Sequence, residues 1–238
     1  MNKVTMLYEG KAKRVYTTED QDLYIMEFKD DATAFNGEKK GTIDNKGVMN
    51  NAISESLYKI LMENGIPTHF VEKLNDRDTL VKAVKIIPIE VLVRNVAAGS
   101  LTNRLGIAEG TELPMTVLEF CFKNDELGDP QINEYHIEAM ELATKAQVET
   151  IKIDALRINE ILKKIFIEKG IRLIDFKLEF GVHKGEVILA DEISPDTCRL
   201  WDLATNEKLD KDRFRRNLGN IEEAYKEILS RLGGGANE

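Results

Sequence analysis

The stretch LIDFKLEFG, residues 173–181, alternates strictly. Its even positions, Ile174, Phe176, Leu178 and Phe180, are apolar, and Asp175, Lys177 and Glu179 between them are charged. Successive side chains of a strand leave opposite faces, so the pattern predicts a strand with one apolar face and a row of acid, base, acid on the other. Two settings suit it. The charged face could meet water, as in many half-buried antiparallel strands, or floor a cleft that holds charged substrates and metal.

The rest of the chain limits the choice. At 238 residues and 42% apolar composition it is long enough to bury a sizeable core. No apolar run reaches membrane-spanning length, and the opening MNKVTMLYEGKAKR has charges where a secretory signal needs an apolar stretch. Cys121 and Cys198 form neither a metal spacing nor a disulfide framework, and His69, His136 and His183 are scattered. These features predict a cytoplasmic protein with reduced thiols. The net charge of −9 argues against nucleic-acid binding, but an acidic protein can still focus positive potential locally.

Strand signals run through MLYEG, KRVYTT, DLYIMEFK, THFVEKL, TLVKAVKI, IPIEVLVRNV, TVLEFCF and GEVILADEI. Helical patterns cover residues 44–64 with Asp44 as cap, about 134–143, 145–169 closed by Gly170, and IEEAYKEILSRL before a loose tail, GGGANE. The mixed order without βαβ alternation predicts an α+β fold. The expected division is a mostly β lobe over 1–85 and a larger mixed lobe over 86–238.

Four segments carry candidate chemistry. In YEGKAKRVY, Gly10 permits a tight turn beside an anion, and Lys11 and Lys13 flank Ala12 on the outgoing strand. Such a hairpin can lie over nucleotide phosphates, although alone it reads more simply as a solvated basic hairpin. In IIPIEVLVRNVAAGS, Glu90 and Arg94 share a face of an apolar strand that leads to Ser100, an expected N-cap for LTNRL before Gly106. That arrangement suits a phosphate and equally a buried Glu90–Arg94 pair. With a three-residue loop Lys184-Gly185-Glu186, Glu179 and Asp191 would stand opposite each other across a hairpin. Two such carboxylates repel unless a cation sits between them, and Mg²⁺ prefers oxygen ligands of this kind. In SPDTCR, Asp196 and Arg199 can reach back over the same cleft.

Together these segments resemble the SAICAR synthetases. IIPIEVLVRNVAAGS and LIDFKLEFG match the two family signatures, and GKAKRVY, DEISPD, RLWD and DKDRFR look like family segments. The resemblance implies a two-lobed fold related to ATP-grasp and kinase-like nucleotide-binding lobes. It also implies an ATP-dependent ligase that joins carboxyaminoimidazole ribotide (CAIR) to L-aspartate, by an acyl phosphate or a concerted route, in enzymes that are often homodimers. By that resemblance Gly10, Lys11, Ala12 and Lys13 cover the ATP phosphates, Glu179 and Asp191 hold Mg²⁺, and Arg94, Ser100 and Arg199 hold the ribotide phosphate. Asp175, Lys177 and Asp196 surround the reacting carboxylate and the aspartate. The adenine packs between Val15 and Leu178, with backbone bonds near Lys82. In DATAFNG this chain has Asn36 where relatives carry Asp, so Asn36 receives no metal role. A kinase-like phosphotransferase and a non-catalytic nucleotide sensor are the competing readings.

Overall fold

The computed structural model describes residues 1–34 and 37–233; Asn36 and the tail beyond Gly233 lie outside it. In chain order the first half contains β1 (Met6–Glu9), β2 (Lys13–Thr17), β3 (Leu23–Phe28), β4 (Asp31–Ala34), β5 (Lys39–Thr42), α1 (Lys46–Glu63), β6 (Phe70–Lys73) and β7 (Asp78–Lys82). Then follow β8 (Lys85–Val96), α2 (Ser100–Leu105), β9 (Glu112–Phe122), β10 (Gln131–Ile132), α3 (Glu134–Ala139) and α4 (Lys145–Glu168). The chain closes with β11 (Ile171–His183), β12 (Glu186–Ala190), β13 (Cys198–Asp202), α5 (Asp212–Arg215) and α6 (Ile221–Arg231).

The strands sort into two main antiparallel sheets. One has the order β1-β2-β3-β7-β6, and the other β10-β9-β8-β11-β12, with β13 sharing the outer edge of β11. β4 and β5 form a separate hairpin. The fold is α+β, as expected. Local patterning did not reveal the short strands β4, β5, β10 and β13, because two to five residues hold too little alternation to register.

Helix α4 shows how the core is built. Thr144 accepts from the Gln147 N–H at 3.2 Å, and Gln147 accepts from the Thr144 N–H at 2.8 Å, a reciprocal cap. Val148, Ile151, Ala155, Ile158, Leu162 and Phe166 then recur every three or four residues on one buried face. They share a core with Phe176, Leu178 and Phe180 of β11 and with Ile53, Leu57 and Leu61 of α1. The start of α1 differs from expectation. The residue before it is Asn45, in a left-handed conformation and without a side-chain cap, rather than Asp44. The cap comes from elsewhere: Asp30 accepts from the Gly47 N–H at 2.9 Å. A distant side chain fills the role that sequence reading assigns to a neighbour.

Candidate functional site

β11 floors a cavity of about 650 Å³ between the two sheets. Asp175, Lys177 and Glu179 all line it, while Leu178 and Phe180 are buried in the core beneath. Ile174 departs from that alternation and packs with Val96, Ala98 and Trp201, where the pairing with β13 shifts register between Leu173 and Asp175. At about 3.3 Å rise per residue, the charged row spans roughly 13 Å. Beyond Glu179, Gly181 pairs with Ile86, where Val15, Tyr24, Met26, Val81, Val84 and Ile86 give the cavity an apolar end. Toward Asp175 stand Arg94, Ser100, Arg199, Lys211 and Arg215. The strand therefore runs from an apolar end through a lysine–carboxylate centre to an arginine-rich end.

At the centre, Lys177 donates to Glu90 at 2.6 Å and to Glu179 at 2.8 Å, and Lys123 donates to the same Glu179 oxygen at 2.9 Å. Lys13 donates to Glu192 at 2.7 Å and also to Asp191. Burial works against the charges of Lys177 and Asp191, but their partners win. Glu179, Glu90 and Asp191 hold the Lys177 ammonium well above its ordinary pKa. Lys13, Lys177 and Lys123 hold the Asp191 carboxyl well below the usual carboxylate range. The second oxygen of Glu179 and that of Asp191 carry no hydrogen bond among the described residues. Two carboxylates with one open oxygen each fit Mg²⁺ when phosphate oxygens complete the shell. No cluster of three acidic, cysteine or histidine ligands occurs among the described residues.

The register that brings Glu179 and Asp191 together corrects the sequence expectation. His183 pairs with Glu186 and Glu179 with Ala190, so the loop has two residues, Lys184 and Gly185, not three. Both have positive φ, 49° and 91°, the pair of signs a type I′ hairpin turn requires. Asp191 therefore does not stand opposite Glu179, and strand alternation would send it to the core face. It reaches the cavity because β12 ends at Ala190 and Asp191 adopts φ 60°. Its carbonyl accepts from Tyr58 Oη–H and faces His69 Nε2, each at 3.0 Å. Burial lowers the His69 pKa to about 4. The ring is neutral at physiological pH, with Nε2 carrying the proton that it gives to the carbonyl.

At the arginine end, Arg94 donates to Asp175 at 3.0 Å, to Glu119 at 2.8 Å and to Ser100 at 3.1 Å. Arg199 donates to both oxygens of Asp175, at 2.9 and 3.1 Å, and to Asp212 at 3.0 Å. Burial pushes the Asp175 carboxyl up against the pull of Arg199 and Arg94. The three hydrogen bonds it accepts from two guanidiniums are the stronger constraint, since a protonated oxygen would turn an O–H against one of them, and Asp175 is a carboxylate here. The expected alternative, a Glu90–Arg94 pair, does not form. Ser100 is also not the cap of α2; that position is Gly99, with φ 57°, and Ser100 is the first helical residue. A Cβ on Gly99 would lie 2.5 Å from the Arg199 guanidinium, so only glycine lets the arginine seat there.

The hairpin residues Gly10, Lys11, Ala12, Lys13 and Val15 line the cavity, as does Lys82. The two hairpin lysines differ: Lys13 is mostly covered, whereas Lys11 sits more exposed at the mouth and donates to Asp125 at 2.7 Å. Leu178 is the site residue that geometry removes. It is 1% exposed in the core below β11 and absent from the cavity wall, because a residue between Lys177 and Glu179 must face away from them. Leu92, from the Glu90–Arg94 face of β8, lines the cavity instead. Asp196 accepts from Lys46 and from Tyr225, each at 2.6 Å. Sequence reasoning passed over His69, Lys123, Glu192, Lys211 and Arg215, all of which line the cavity. Lys123 had a signal in the alternation of Glu119, Cys121 and Lys123, and Lys211 and Arg215 lie within DKDRFR. His69 had none.

A family profile described as SAICAR synthetase matches residues 6–232. The chain is 60% identical over 232 residues to the phosphoribosylaminoimidazole-succinocarboxamide synthase of Caldanaerobacter subterraneus subsp. tengcongensis, covering 98% of this chain and 99% of that protein. The protein of the same name from Clostridium novyi is 60% identical, with 95% and 97% covered. The crystal structure of that synthase from Ehrlichia chaffeensis matches with a TM-score of 0.95 at 49% identity, covering 98% of this chain and all 100% of the other. A SAICAR synthetase solved in complex with ADP matches at 0.94 and 50% identity, with 97% and 99% covered. On sequence and fold alike, the chain belongs to the SAICAR synthetase family.

Proposed function

We propose that β11 lines up the three substrates of the family's reaction in the order of its own side chains. As a family member the chain is an ATP-dependent ligase that joins CAIR to L-aspartate, giving SAICAR, ADP and phosphate in purine biosynthesis. The observation that carries the residue assignment is the sequence of environments along one strand: apolar, lysine with carboxylate, then arginine.

In this reading the adenine takes the apolar end between Val15, Val84 and Ile86, under a lobe of residues 1–85. Gly10, Lys11, Ala12 and Lys13 cover the phosphates. Glu179 and Asp191 hold Mg²⁺, which when bound neutralises phosphate charge and orients the transferred phosphoryl group. Arg94, Ser100 and Arg199 take the ribotide phosphate, since forked guanidiniums suit phosphate oxygens. Lys177 stands between the two ends, over the reacting carboxylate. Asp175 has both oxygens occupied by guanidiniums, and Asp196 both by Lys46 and Tyr225. Their work is therefore to fix cations, and Lys211 and Arg215 beside them are the groups available to the carboxylates of aspartate. The larger lobe over residues 86–238 holds this machinery. Two buried free thiols suit a cytoplasmic setting, and exposed apolar side chains such as Met115 and Leu105 offer surface to a second copy in a homodimer.

The assay that tests the reading is ADP release with CAIR and aspartate supplied singly and together. Sustained release only with both supports the ligase. Release with one acceptor alone would mark a phosphotransferase, and none at all a nucleotide sensor.

A further inference from the structure

Tyr58 and His69 belong to neither the lysine–carboxylate centre nor the arginine end, yet both converge on one peptide. The Tyr58 hydroxyl lies 2.8 Å from the Ala190 carbonyl and 3.0 Å from that of Asp191, so its single proton is shared between them. His69 Nε2 donates to the same Asp191 carbonyl at 3.0 Å. The backbone around His69 runs beside the end of β12: His69 N–H donates to Leu189 O at 2.8 Å, and Leu189 N–H to Pro67 O at 2.9 Å. The two rings touch, with centroids 5.5 Å apart, and Tyr58 stacks on Phe70 behind them.

What they grip is the one residue whose backbone breaks the pattern of its strand. A non-glycine residue in the left-handed region persists where its surroundings hold it. At Asp191 that conformation reverses the alternation and turns the carboxylate into the cavity. Donors on a residue's own carbonyl fix the following peptide plane, hence its ψ, and so also the path into Glu192, which shares Lys13 with Asp191.

We infer that Tyr58 and His69 are positioning residues that hold the Asp191 peptide in its left-handed conformation and so aim its carboxylate at the metal-bound nucleotide. The inference rests on Asp191 as a Mg²⁺ ligand. Neither residue need touch a substrate.

The test compares Tyr58→Phe, His69→Leu, His69→Gln and Asp191→Ala. Phe keeps the ring and removes the hydroxyl, and Gln keeps a donor near the Nε2 position. Calorimetry gives the Kd of ADP with Mg²⁺ and with chelator, and thermal melting without ligand reports packing. Tyr58→Phe and His69→Leu should each weaken Mg²⁺–ADP binding about tenfold, as loss of a buried hydrogen bond implies, and leave metal-free ADP binding within about twofold. His69→Gln should recover most of the loss. If Asp191→Ala weakens Mg²⁺–ADP binding and neither Tyr58→Phe nor His69→Leu does, the positioning role is wrong. Equal losses with and without metal, accompanied by a lower melting temperature and no recovery in His69→Gln, would also overturn it and leave only core packing. Undiminished Mg²⁺–ADP binding in Asp191→Ala would bring down the metal assignment itself, and this inference with it.

Discussion

The two charged regions of the cavity are built on different plans. At the arginine end the two guanidiniums that meet at Asp175 are each held by two carboxylates before any anion arrives: Arg94 by Glu119 and Asp175, Arg199 by Asp175 and Asp212. A planar fork bound on two sides keeps its angle. At the centre, Lys13, Lys123 and Lys177 are single-point cations that neutralise Asp191, Glu192, Glu179 and Glu90. In the proposed reading each of these pairs would be exchanged, lysine for metal at the carboxylate and carboxylate for phosphate at the lysine. A preset cradle suits a phosphate that stays chemically unchanged. An exchangeable network suits the place where charge moves during turnover.

The contrast breaks most readily at Asp175. Asp175→Asn leaves buried Arg94 and half-buried Arg199 short of one negative charge, a loss of about 3 kcal/mol in stability, the lower end of the range for a broken buried pair, with ribotide binding falling alongside. Urea unfolding and ribotide titration check it. Wild-type values in both would mean that Asp175 does not set the arginine end.

Next in size are single cations from each region. Arg94→Ala should raise the ribotide KM about ten- to a hundredfold, the weight of one charge-assisted contact, and change the ATP KM little. Arg94→Lys should fail to restore it, because one ammonium cannot serve Glu119, Asp175 and Ser100 together. Lys13→Met should do the reverse, raising the ATP KM or slowing turnover with the ribotide KM intact. Steady-state kinetics in both substrates would blur the two regions if each variant affected both equally.

A subtler test lies behind the arginine end. Buried Asp210 accepts the N–H groups of Leu200 at 2.8 Å and Asp212 at 2.7 Å, joining β13 to the residues that hold Arg199. Burial first, and the charge of Asp212 second, push its pKa up to about 7 against those two donors. The unfolded carboxyl titrates near 4, so between about 4 and 7 the folded state binds the extra proton. The Asp210 contribution is therefore full below pH 4 and declines as pH rises to about 7. Asp210→Asn should flatten that slope in melting temperature across pH 5–8. The same slope in both proteins would show that Asp210 is ionised throughout.

The smallest effect is expected at Lys11, whose bond to Asp125 is largely exposed. Lys11→Met should cost below about 1 kcal/mol in stability, and the difference should shrink in high salt. A loss in ATP binding as large as that of Lys13→Met would extend the buried network to the cavity mouth.

How much of this was legible beforehand follows the range of each interaction. The floor strand, its two faces, the helix closed by Gly170 and the Arg94–Ser100 approach could be read locally, because alternation and capping depend on residues a few positions apart. The hairpin register could not. Lys184 takes a positive φ that its residue type does not announce, and one residue of loop length reverses every later side chain. Assigning Leu178 to the adenine site conflicted with its own strand parity, which alone would have placed it in the core.

The linear pattern of residues 173–181 by itself determined that this protein has a strand with a charged face, since backbone geometry imposes the period wherever the strand lies. Which charges meet there was decided only by the tertiary structure. Lys177 finds Glu90, Lys13 finds Asp191, and Asp175 finds Arg199 across long separations in sequence. The left-handed turn at Asp191 depends on Tyr58 and His69, more than a hundred residues earlier. Such contacts exist only once strands and helices distant in sequence have packed together, because burial is what makes an unpaired charge too costly to keep.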